Sequence, residues 1–305
     1  LKKVNEVNFI LENIKYHSRK IYIKIVLILQ NIYVLKFIIL GNKDLKEIIK
    51  NNRKFLSSTE SFIEDDEFQK NDYGMSKPIY EKINNKIYNF PTYTDLIMYS
   101  LKFLKKKDSF NYLEIGTSVL KNFFQIDNLL KNSELTAYDI NPITLKYKNL
   151  FQKNQLNQNN SDCEFLSAKT NNNLTYFKGS VLDKDHLKIF NDNVKDKFDI
   201  IFSDALHTPE GVMSEYENLI SNKLNEEFIL YFDDLDFPGL YKVAKDIYRD
   251  INYSTPGVHF TTFKVYGWIG QNERMHKNGI ISNIDFYKLF KNNKLNLPNL
   301  KKVEI

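Results

Sequence analysis

Residues 112–118 read Tyr-Leu-Glu-Ile-Gly-Thr-Ser, an apolar run that ends in an acidic residue and a glycine turn. A second apolar run, at 135–138, ends in Asp139. Glycine lets the backbone approach a ligand closely, and a carboxylate at the end of the next strand can accept hydrogen bonds from ribose hydroxyls. The two segments therefore predict neighbouring strands of an open α/β sheet with a nucleoside pocket at their carboxyl ends.

Strand-like and helix-like segments alternate along the rest of the chain, which is typical of βαβ units and a parallel sheet. The predicted strands are Tyr112–Ile115, Leu135–Tyr138, Leu174–Phe177, Phe198–Phe202 and Phe228–Phe232. The predicted helices are Lys121–Lys131, Ile143–Gln152, Lys184–Asn191, Met213–Leu224 and Leu240–Ile251. The last two apolar runs, Phe263–Tyr266 and Gly279–Ser282, have no helix between them and predict an antiparallel pair. The expected fold class is α/β, a doubly wound and mostly parallel Rossmann-like sheet.

Two regions are expected along the chain. Residues 1–90 predict a helical, lysine-rich N-terminal region, and residues 91–305 predict the α/β domain. A helix with apolar residues at helical spacing is expected within Pro91–Lys107, just before the first strand. The Asn- and Gln-rich stretch Gln152–Asn173 predicts a solvated loop or insertion.

Composition limits the classes of protein. Of the 305 residues, 42% are hydrophobic and 27% are charged, which excludes global disorder. The net charge of +5 is mild and favours a solvated lysine-rich surface, so no nucleic-acid partner is expected. The single cysteine, Cys163, excludes an intrachain disulfide and a cysteine-based zinc site. A reducing, cytoplasmic location is the expectation.

The segment 21–40 is strongly apolar, yet it contains Lys24, Gln30, Asn31 and Lys36. A membrane-spanning helix needs about 20 mostly apolar residues with few charges. The polar residues favour a buried or homo-oligomer-forming helix. A segment at the membrane surface is the second interpretation and a true span the third.

Small or acidic residues follow each predicted strand. In an open α/β sheet the ligand binds beyond the carboxyl ends of the strands. A single acid there is commonly a turn former or a helix cap, but five strand ends on one rim favour a binding site. In strand order, these residues are Glu114, Gly116 and Ser118, then Asp139, then Ser180 and Asp183, then Asp204 and His207, and finally Asp233 and Asp234.

Three of these carboxylates predict a metal site. Asp204 follows one strand, and Asp233 and Asp234 follow the next. Adjacent parallel strands lie about 5 Å apart, so these groups would repel one another without a cation between them. Oxygen ligands favour Mg²⁺ or a similar hard ion. His207, if neutral, is placed to act as a general base beside it.

The order Glu-x-Gly, Asp, Gly-Ser-x-x-Asp and Asp-Ala-x-His, over about residues 91–282, resembles the class I S-adenosylmethionine-dependent methyltransferases. The resemblance implies that Gly116 faces the methionine part of the cofactor and that Asp139 pairs with the ribose hydroxyls. It also implies that Ser180 and Asp183 lie near the adenine. The other expected cofactor-binding residues are Glu114, Ser118 and Asp204.

The first loop departs from the usual pattern of that family, Gly-x-Gly-x-Gly. Only Gly116 is present here, and Ser118 and Leu120 occupy the other two positions. A catalytically degenerate binding or assembly module with the same fold is therefore the alternative hypothesis.

The Asp-x-x-His segment and the later acidic pair are similar to the metal-dependent macrolide-sugar O-methyltransferases and their cephalosporin-hydroxylase-like relatives. By position, this resemblance implies that Asp204, Asp233 and Asp234 bind the metal and that His207 is the base. It implies methyl transfer to a hydroxyl of a sugar or another small molecule. That group often has Glu-Asp where this chain has Asp-Asp. His276 is left between a structural role and a place near the substrate.

Overall fold

A ten-stranded sheet lies at the centre of the computed structural model. The structure describes residues 2–57, 89–105, 108–118, 120–143, 152–153, 162–267 and 275–304. Side chains are described at Ser18 and from residue 21 onward, except at Leu56, Ser57, Lys121, Gln152, Lys153 and Asp162. The strands are β1 (Asn111–Ile115), β2 (Glu134–Asp139), β3 (Gln152–Lys153), β4 (Asp162–Leu166), β5 (Asn173–Lys178), β6 (Phe198–Ser203), β7 (Leu224–Phe232), β8 (His259–Tyr266), β9 (Met275–Ser282) and β10 (Lys301–Val303). Their order across the sheet is β10-β8-β9-β7-β6-β1-β2-β5-β4-β3.

Five parallel strands, in the order β7-β6-β1-β2-β5, form the middle of the sheet. The chain runs outward from β1 through β2 to β5, and then crosses to β6 on the other side of β1. The direction of sheet growth therefore reverses between β1 and β6. Ligands of open α/β sheets bind at such a reversal, beyond the carboxyl ends of the strands.

Helices cover both faces of the sheet, as the alternation predicted. They are α1 (Lys2–Leu40), α2 (Lys43–Ser57), α3 (Tyr93–Leu101), α4 (Lys121–Leu129), α5 (Lys184–Asn193), α6 (Pro209–Glu215) with a π-helical turn at Tyr216–Ile220, α7 (Leu240–Ser254) and α8 (Phe286–Asn292). Successive strand residues enter opposite cores: Tyr112 and Phe202 pack on the side of α2, α3 and α4, and Leu113 packs on the side of α5 and α7. The doubly wound α/β fold class is confirmed.

The antiparallel pair of β8 and β9 is also confirmed, with His259 opposite Ser282 at one end. The expectation of a loop over Gln152–Asn173 is wrong in part. Residues of β4 pair antiparallel with β5, and β3 pairs with β4. Phe165 is buried within this polar stretch, and Cys163 packs against the same core.

One expected helix differs from the structure, and another lies mostly outside the described residues. The helix expected at Met213–Leu224 begins earlier, because Thr208 caps it by accepting a hydrogen bond from the Gly211 N–H at 3.1 Å, and Pro209 occupies the first turn. It ends at Ile220, and Leu224 already belongs to β7. The helix expected at Ile143–Gln152 lies mostly outside the described residues.

The N-terminal region is helical where it is described, as α1 and α2 show. Helix α2 is fixed to the α/β domain by a buried ion pair, in which Arg53 Nη2 lies 2.5 Å from Asp95 Oδ2 on α3. Asn52 donates to Asp95 and to Gln125 at 3.0 and 2.9 Å. The boundary near residue 90 stays a prediction, because most of the connecting segment lies outside the described residues.

Candidate active site

A cavity of about 400 Å³ lies at the carboxyl ends of β5, β2, β1, β6 and β7. Cavities of about 300–1,000 Å³ hold small-molecule ligands in proteins. Of the expected site residues, eight line it: Gly116, Ser118, Asp139, Ser180, Asp204, His207, Asp233 and Asp234. The side chains predicted from separate strand ends therefore lie around one space.

Gly116 shapes the loop after β1. Its φ is +87°, and a Cβ atom there would come within 2.3 Å of the Asp204 carbonyl oxygen. Glycine is therefore required by contact with the chain after β6 as well as by backbone conformation. Ser118 and Leu120 also have positive φ, of 48° and 64°. The loop keeps a left-handed backbone at the two positions where the family's pattern has glycine, although such a φ strains a non-glycine residue.

Asp139 is held rigidly at the end of β2. It is 6% exposed. Its Oδ2 accepts a hydrogen bond from the Ser118 N–H at 2.6 Å, and its Oδ1 accepts one from the Asn141 N–H at 2.8 Å. Burial raises the pKa of this carboxyl, and the two N–H donors partly oppose the increase. Each oxygen keeps acceptor capacity for a hydroxyl group in the cavity.

Ser180 lies in the loop after β5. Its carbonyl oxygen accepts a hydrogen bond from the Tyr138 hydroxyl at 3.0 Å. A Cβ atom on the neighbouring Gly179 would lie 2.5 Å from that hydroxyl oxygen. The glycine therefore permits the contact between β2 and the loop that brings Ser180 to the cavity.

Two of the expected cofactor residues, Glu114 and Asp183, lie outside the set of described residues that line the cavity. Glu114 is buried in β1 and accepts hydrogen bonds from Tyr112 Oη at 2.6 Å and Asn122 Nδ2 at 2.8 Å. Burial raises its pKa to about 8. Asp183 caps α5 by accepting hydrogen bonds from the N–H groups of Asp185 and His186. Both side chains have structural partners here, as an acid after a strand commonly does.

The acidic cluster expected at the ends of β6 and β7 forms. His207 Nε2 lies 3.1 Å from Asp204 Oδ1 and 3.3 Å from Asp234 Oδ2. Asp233 is buried, and Asn278 Nδ2 donates a hydrogen bond to its Oδ1. Burial and then the neighbouring carboxylates of Asp204 and Asp234 raise the pKa of Asp233 well above its usual range.

His276, on β9, completes this cluster and was not among the predicted site residues. It forms an ion pair with Asp234, so that this carboxylate lies between two imidazoles. The groups Asp204/His207/Asp234 and Asp233/Asp234/His276 each bring three ligand atoms within 4.8 Å of one another. The predicted antiparallel pair was the signal in the sequence that could have found His276. A strand that runs antiparallel beside β7 begins where β7 ends, so its first residues lie near Asp234.

The side chain of His207 is fixed on two sides. Its ring stacks on Phe237, with centroids 4.9 Å apart and planes 13° from parallel. The hydrogen bond to Asp204, followed by the charges of Asp204, Asp234 and Asp233, raises its pKa to about 9 against the opposing effect of burial. With the carboxylates charged and no cation among them, His207 is an imidazolium at neutral pH.

Glu215 is a further buried acid that the sequence interpretation missed. It lies on α6, directly behind the cluster, and its Oε2 accepts a hydrogen bond from Ser203 Oγ at 2.6 Å. Burial raises its pKa to about 7. It fixes the end of β6 just before Asp204.

No protein-family model matches the chain, and no curated protein matches it. Among solved structures, it is similar to the O-methyltransferase TomG from Streptomyces achromogenes in complex with SAM (TM-score 0.44, 13% identity, 81% of this chain and 94% of that chain). It is also similar to a putative caffeoyl-CoA O-methyltransferase from Staphylococcus aureus (0.39, 16%, 62% and 82%). A third is the CurJ carbon methyltransferase (0.40, 12%, 68% and 58%). Similarity at this level carries no argument about function.

Proposed function

We propose that this protein transfers a methyl group from S-adenosylmethionine to an oxygen of a sugar or another small molecule, with the help of a divalent cation. The observation that carries the proposal is the convergence of Asp139 and Asp204 on one cavity. Asp139 follows β2 and Asp204 follows β6, on opposite sides of β1. A nucleoside site and a metal site can therefore share a single space.

The residues around Asp139 suit the nucleoside part of the cofactor. Its two oxygens are oriented by the Ser118 and Asn141 N–H groups, so no reorganisation is needed before they accept hydrogen bonds from ribose hydroxyls. The positive φ of Gly116 exposes backbone beside it. When bound, S-adenosylmethionine supplies an electrophilic methyl group.

The chemistry of the donor set suits a divalent cation. Asp204, Asp233 and Asp234 offer carboxylate oxygens, and His276 offers an imidazole nitrogen. Carboxylates suit Mg²⁺ and Mn²⁺, and imidazole extends the range to Zn²⁺; we propose Mg²⁺ or Mn²⁺. Such a cation supplies positive charge that favours loss of a proton from an acceptor hydroxyl.

His207 is the proposed base. The imidazolium that forms when His207 accepts a proton is stabilised by Asp204 and Asp234, whose carboxylate oxygens lie 3.1 and 3.3 Å from Nε2. The stack on Phe237 keeps the ring in one plane while the proton moves. To begin neutral, His207 needs the negative charge around it to be compensated. A cation among the carboxylates would supply this compensation, so the proposed base and the proposed metal site depend on each other.

The acceptor enters beside His207. Tyr93 and Leu206 line this part of the cavity, and Phe237 is 46% exposed next to it. An exposed aromatic face gives a sugar ring an apolar surface on which its C–H bonds can pack. The base, the aromatic face and the metal ligands together support a hydroxylated small molecule as acceptor.

A measurement of cofactor binding distinguishes an enzyme from the degenerate binding module. Ser118 and Leu120, at the positions of the missing glycines, are the observation that favours the module. Isothermal titration with S-adenosylmethionine is expected to show binding by wild type. Asp139→Ala is expected to bind at least about a hundredfold more weakly, because two hydrogen bonds to a charged group are worth about 1.5–3 kcal/mol each. Asp183→Asn is the matched control and should bind normally. No binding by wild type at millimolar cofactor would favour the module.

Methyl transfer to a panel of hydroxylated acceptors tests the chemistry. Activity should disappear with a chelator and return when Mg²⁺ or Mn²⁺ is added. His207→Ala should be inactive at neutral pH, and His259→Ala, whose histidine begins β8, is the matched control. Full activity with the chelator present would eliminate the metal hypothesis. Normal turnover by His207→Ala would independently reject the hypothesis that His207 is the general base.

A further inference from the structure

The second half of α1 differs from every other helix in the part of the chain that the structure describes. Residues Ile21–Leu40 form the one described segment that is long and apolar enough to cross a membrane, with a mean hydropathy of 2.1 over 20 residues. At about 1.5 Å per residue it is about 30 Å long, the thickness of a bilayer's hydrocarbon core. Only 17% of it is buried. The segment is therefore not buried within this chain, and the oligomer-forming alternative stays a prediction.

One narrow stripe attaches this segment to the rest of the protein. Gln30, Val34, Phe37 and Gly41 are buried and recur every three or four residues, which places them on one side of the helix. The Phe37 ring lies 5.3 Å from the Phe90 ring. The helix is therefore held against the protein along its C-terminal half, and its other sides face outward.

The exposed surface is apolar in nearly every direction. Consecutive side chains point about 100° apart around a helix, and three in a row are exposed at both ends of the segment. The exposed apolar residues are Ile21, Tyr22, Ile23, Ile25, Ile28, Leu29, Ile32, Leu35, Ile38, Ile39 and Leu40. A second copy of the chain or a partner helix would cover a stripe, whereas lipid chains surround a helix on all its free sides.

The charges near the segment fit a membrane as well. Lys24 and Lys36 lie three and four residues from its two ends, where a lysine can extend its ammonium group to the headgroups. Between residues 13 and 40 the sequence has no acidic residue. The cations that precede the apolar segment, Lys15, Arg19 and Lys20, complement anionic headgroups.

We propose that the exposed apolar surface of residues 21–40 enters a lipid bilayer with anionic headgroups, while Gln30, Val34 and Phe37 stay packed on the protein, and that α1 so holds the α/β domain at a membrane. The inference is independent of methyl transfer, because it depends on the exposure, length and charges of α1 alone. A protein held in this way meets acceptors that are themselves at a membrane surface.

Flotation of the full chain with vesicles tests the proposal. The protein should float with vesicles of phosphatidylcholine and phosphatidylglycerol, and should stay with them at about 1 M salt, where electrostatic attraction is screened beyond about 3 Å. Ile28→Asp combined with Ile32→Asp should lower the partition coefficient by more than about a thousandfold, since an aspartate near the middle of an inserted helix is strongly disfavoured. Tyr253→Asp, at a residue that is 90% exposed on α7, is the control and should float like wild type.

Circular dichroism and thermal unfolding would show that the double variant is folded. Release of wild type by salt would overturn insertion. Flotation of the double variant would overturn the assignment to residues 21–40. A wild-type protein that forms stable dimers, broken by the double substitution, and ignores vesicles would assign this surface to a second copy of the chain instead.

Discussion

The pKa of His207 offers the sharpest test of the proposed active site. Its Nε2 lies 3.1 Å from Asp204 Oδ1 and 3.3 Å from Asp234 Oδ2. At an effective dielectric constant of about 20, a pair of unit charges at such a distance attracts by about 5 kcal/mol. Burial opposes this attraction, and the result is a pKa raised from 6.5 to about 9. Without a cation, His207 should be about 97% protonated at pH 7.5.

Addition of Mg²⁺ is the perturbation. A divalent charge among Asp204, Asp233 and Asp234 offsets the carboxylates that hold the proton on His207, so the pKa of His207 should fall from about 9 by at least about 2.5, to 6.5 or below. The assay is an NMR titration of the imidazole protons from pH 5 to pH 10, with and without saturating Mg²⁺. The chain has five histidines, and the His207→Ala spectrum identifies the resonance of His207.

Two outcomes would refute the reasoning. If His207 titrates near 6.5 in the metal-free protein, the carboxylates do not surround it as described. If it titrates at about 9 with and without Mg²⁺, no cation binds next to it and His207 is not a neutral base at physiological pH.

The pH dependence of stability that His207 contributes has a definite sign, because its folded-state pKa exceeds the unfolded value. The stabilisation by His207 is complete below pH 6.5 and is lost as the pH rises through about 9.

Three further predictions concern residues around the cavity. The pKa of Glu114 is raised to about 8, so the free energy of unfolding of wild type should fall as the pH rises from about 4.5 to 8, by up to about 1.4 kcal/mol per pH unit. In urea unfolding, Glu114→Gln should remove this dependence on pH. The control Glu134→Gln, at an exposed residue, should keep it. Gly116→Ala should abolish cofactor binding and lower the melting temperature, because its Cβ would lie 2.3 Å from the Asp204 carbonyl oxygen; calorimetry showing normal binding would contradict this steric explanation. His276→Asn should weaken Mn²⁺ binding by about ten- to a hundredfold, measured by titration calorimetry, because the metal site loses the imidazole nitrogen that His276 offers beside Asp234; unchanged affinity would exclude His276 from the metal site.

The strands of the central sheet were predictable because their signal is local. An apolar run such as Phe198–Ser203 is buried on both faces, and a small or acidic residue after it indicates where the strand ends. The order of the strands was harder, since β4 and β3 lie between β2 and β5 in sequence but beyond β5 in space. Their sequence is polar, and among the described side chains of β4, Phe165 is buried in the core and Cys163 packs against it.

The candidate site also contains some residues whose place the sequence predicted and others whose place it did not. Asp139, Asp204 and His207 could be chosen from sequence because each lies at or just after the carboxyl end of a strand that opens onto the cavity. The same rule selected Glu114 and Asp183, which have structural partners instead. Glu114 points into the core beside Tyr112 and Asn122, and Asp183 caps α5, so the local packing decides which acids reach the cavity.

The amino-acid sequence by itself determined the α/β alternation, the rim on which the acids lie and the apolar character of residues 21–40. These features depend on the periodicity and composition of short segments, and both properties can be read from one segment without the rest of the chain. The tertiary structure decided that His276 joins Asp234, that Glu215 is buried behind Asp204, and that α1 leaves most of its apolar surface exposed. Those outcomes depend on which distant segments pack together, and that is set by burial and charge across the whole folded chain.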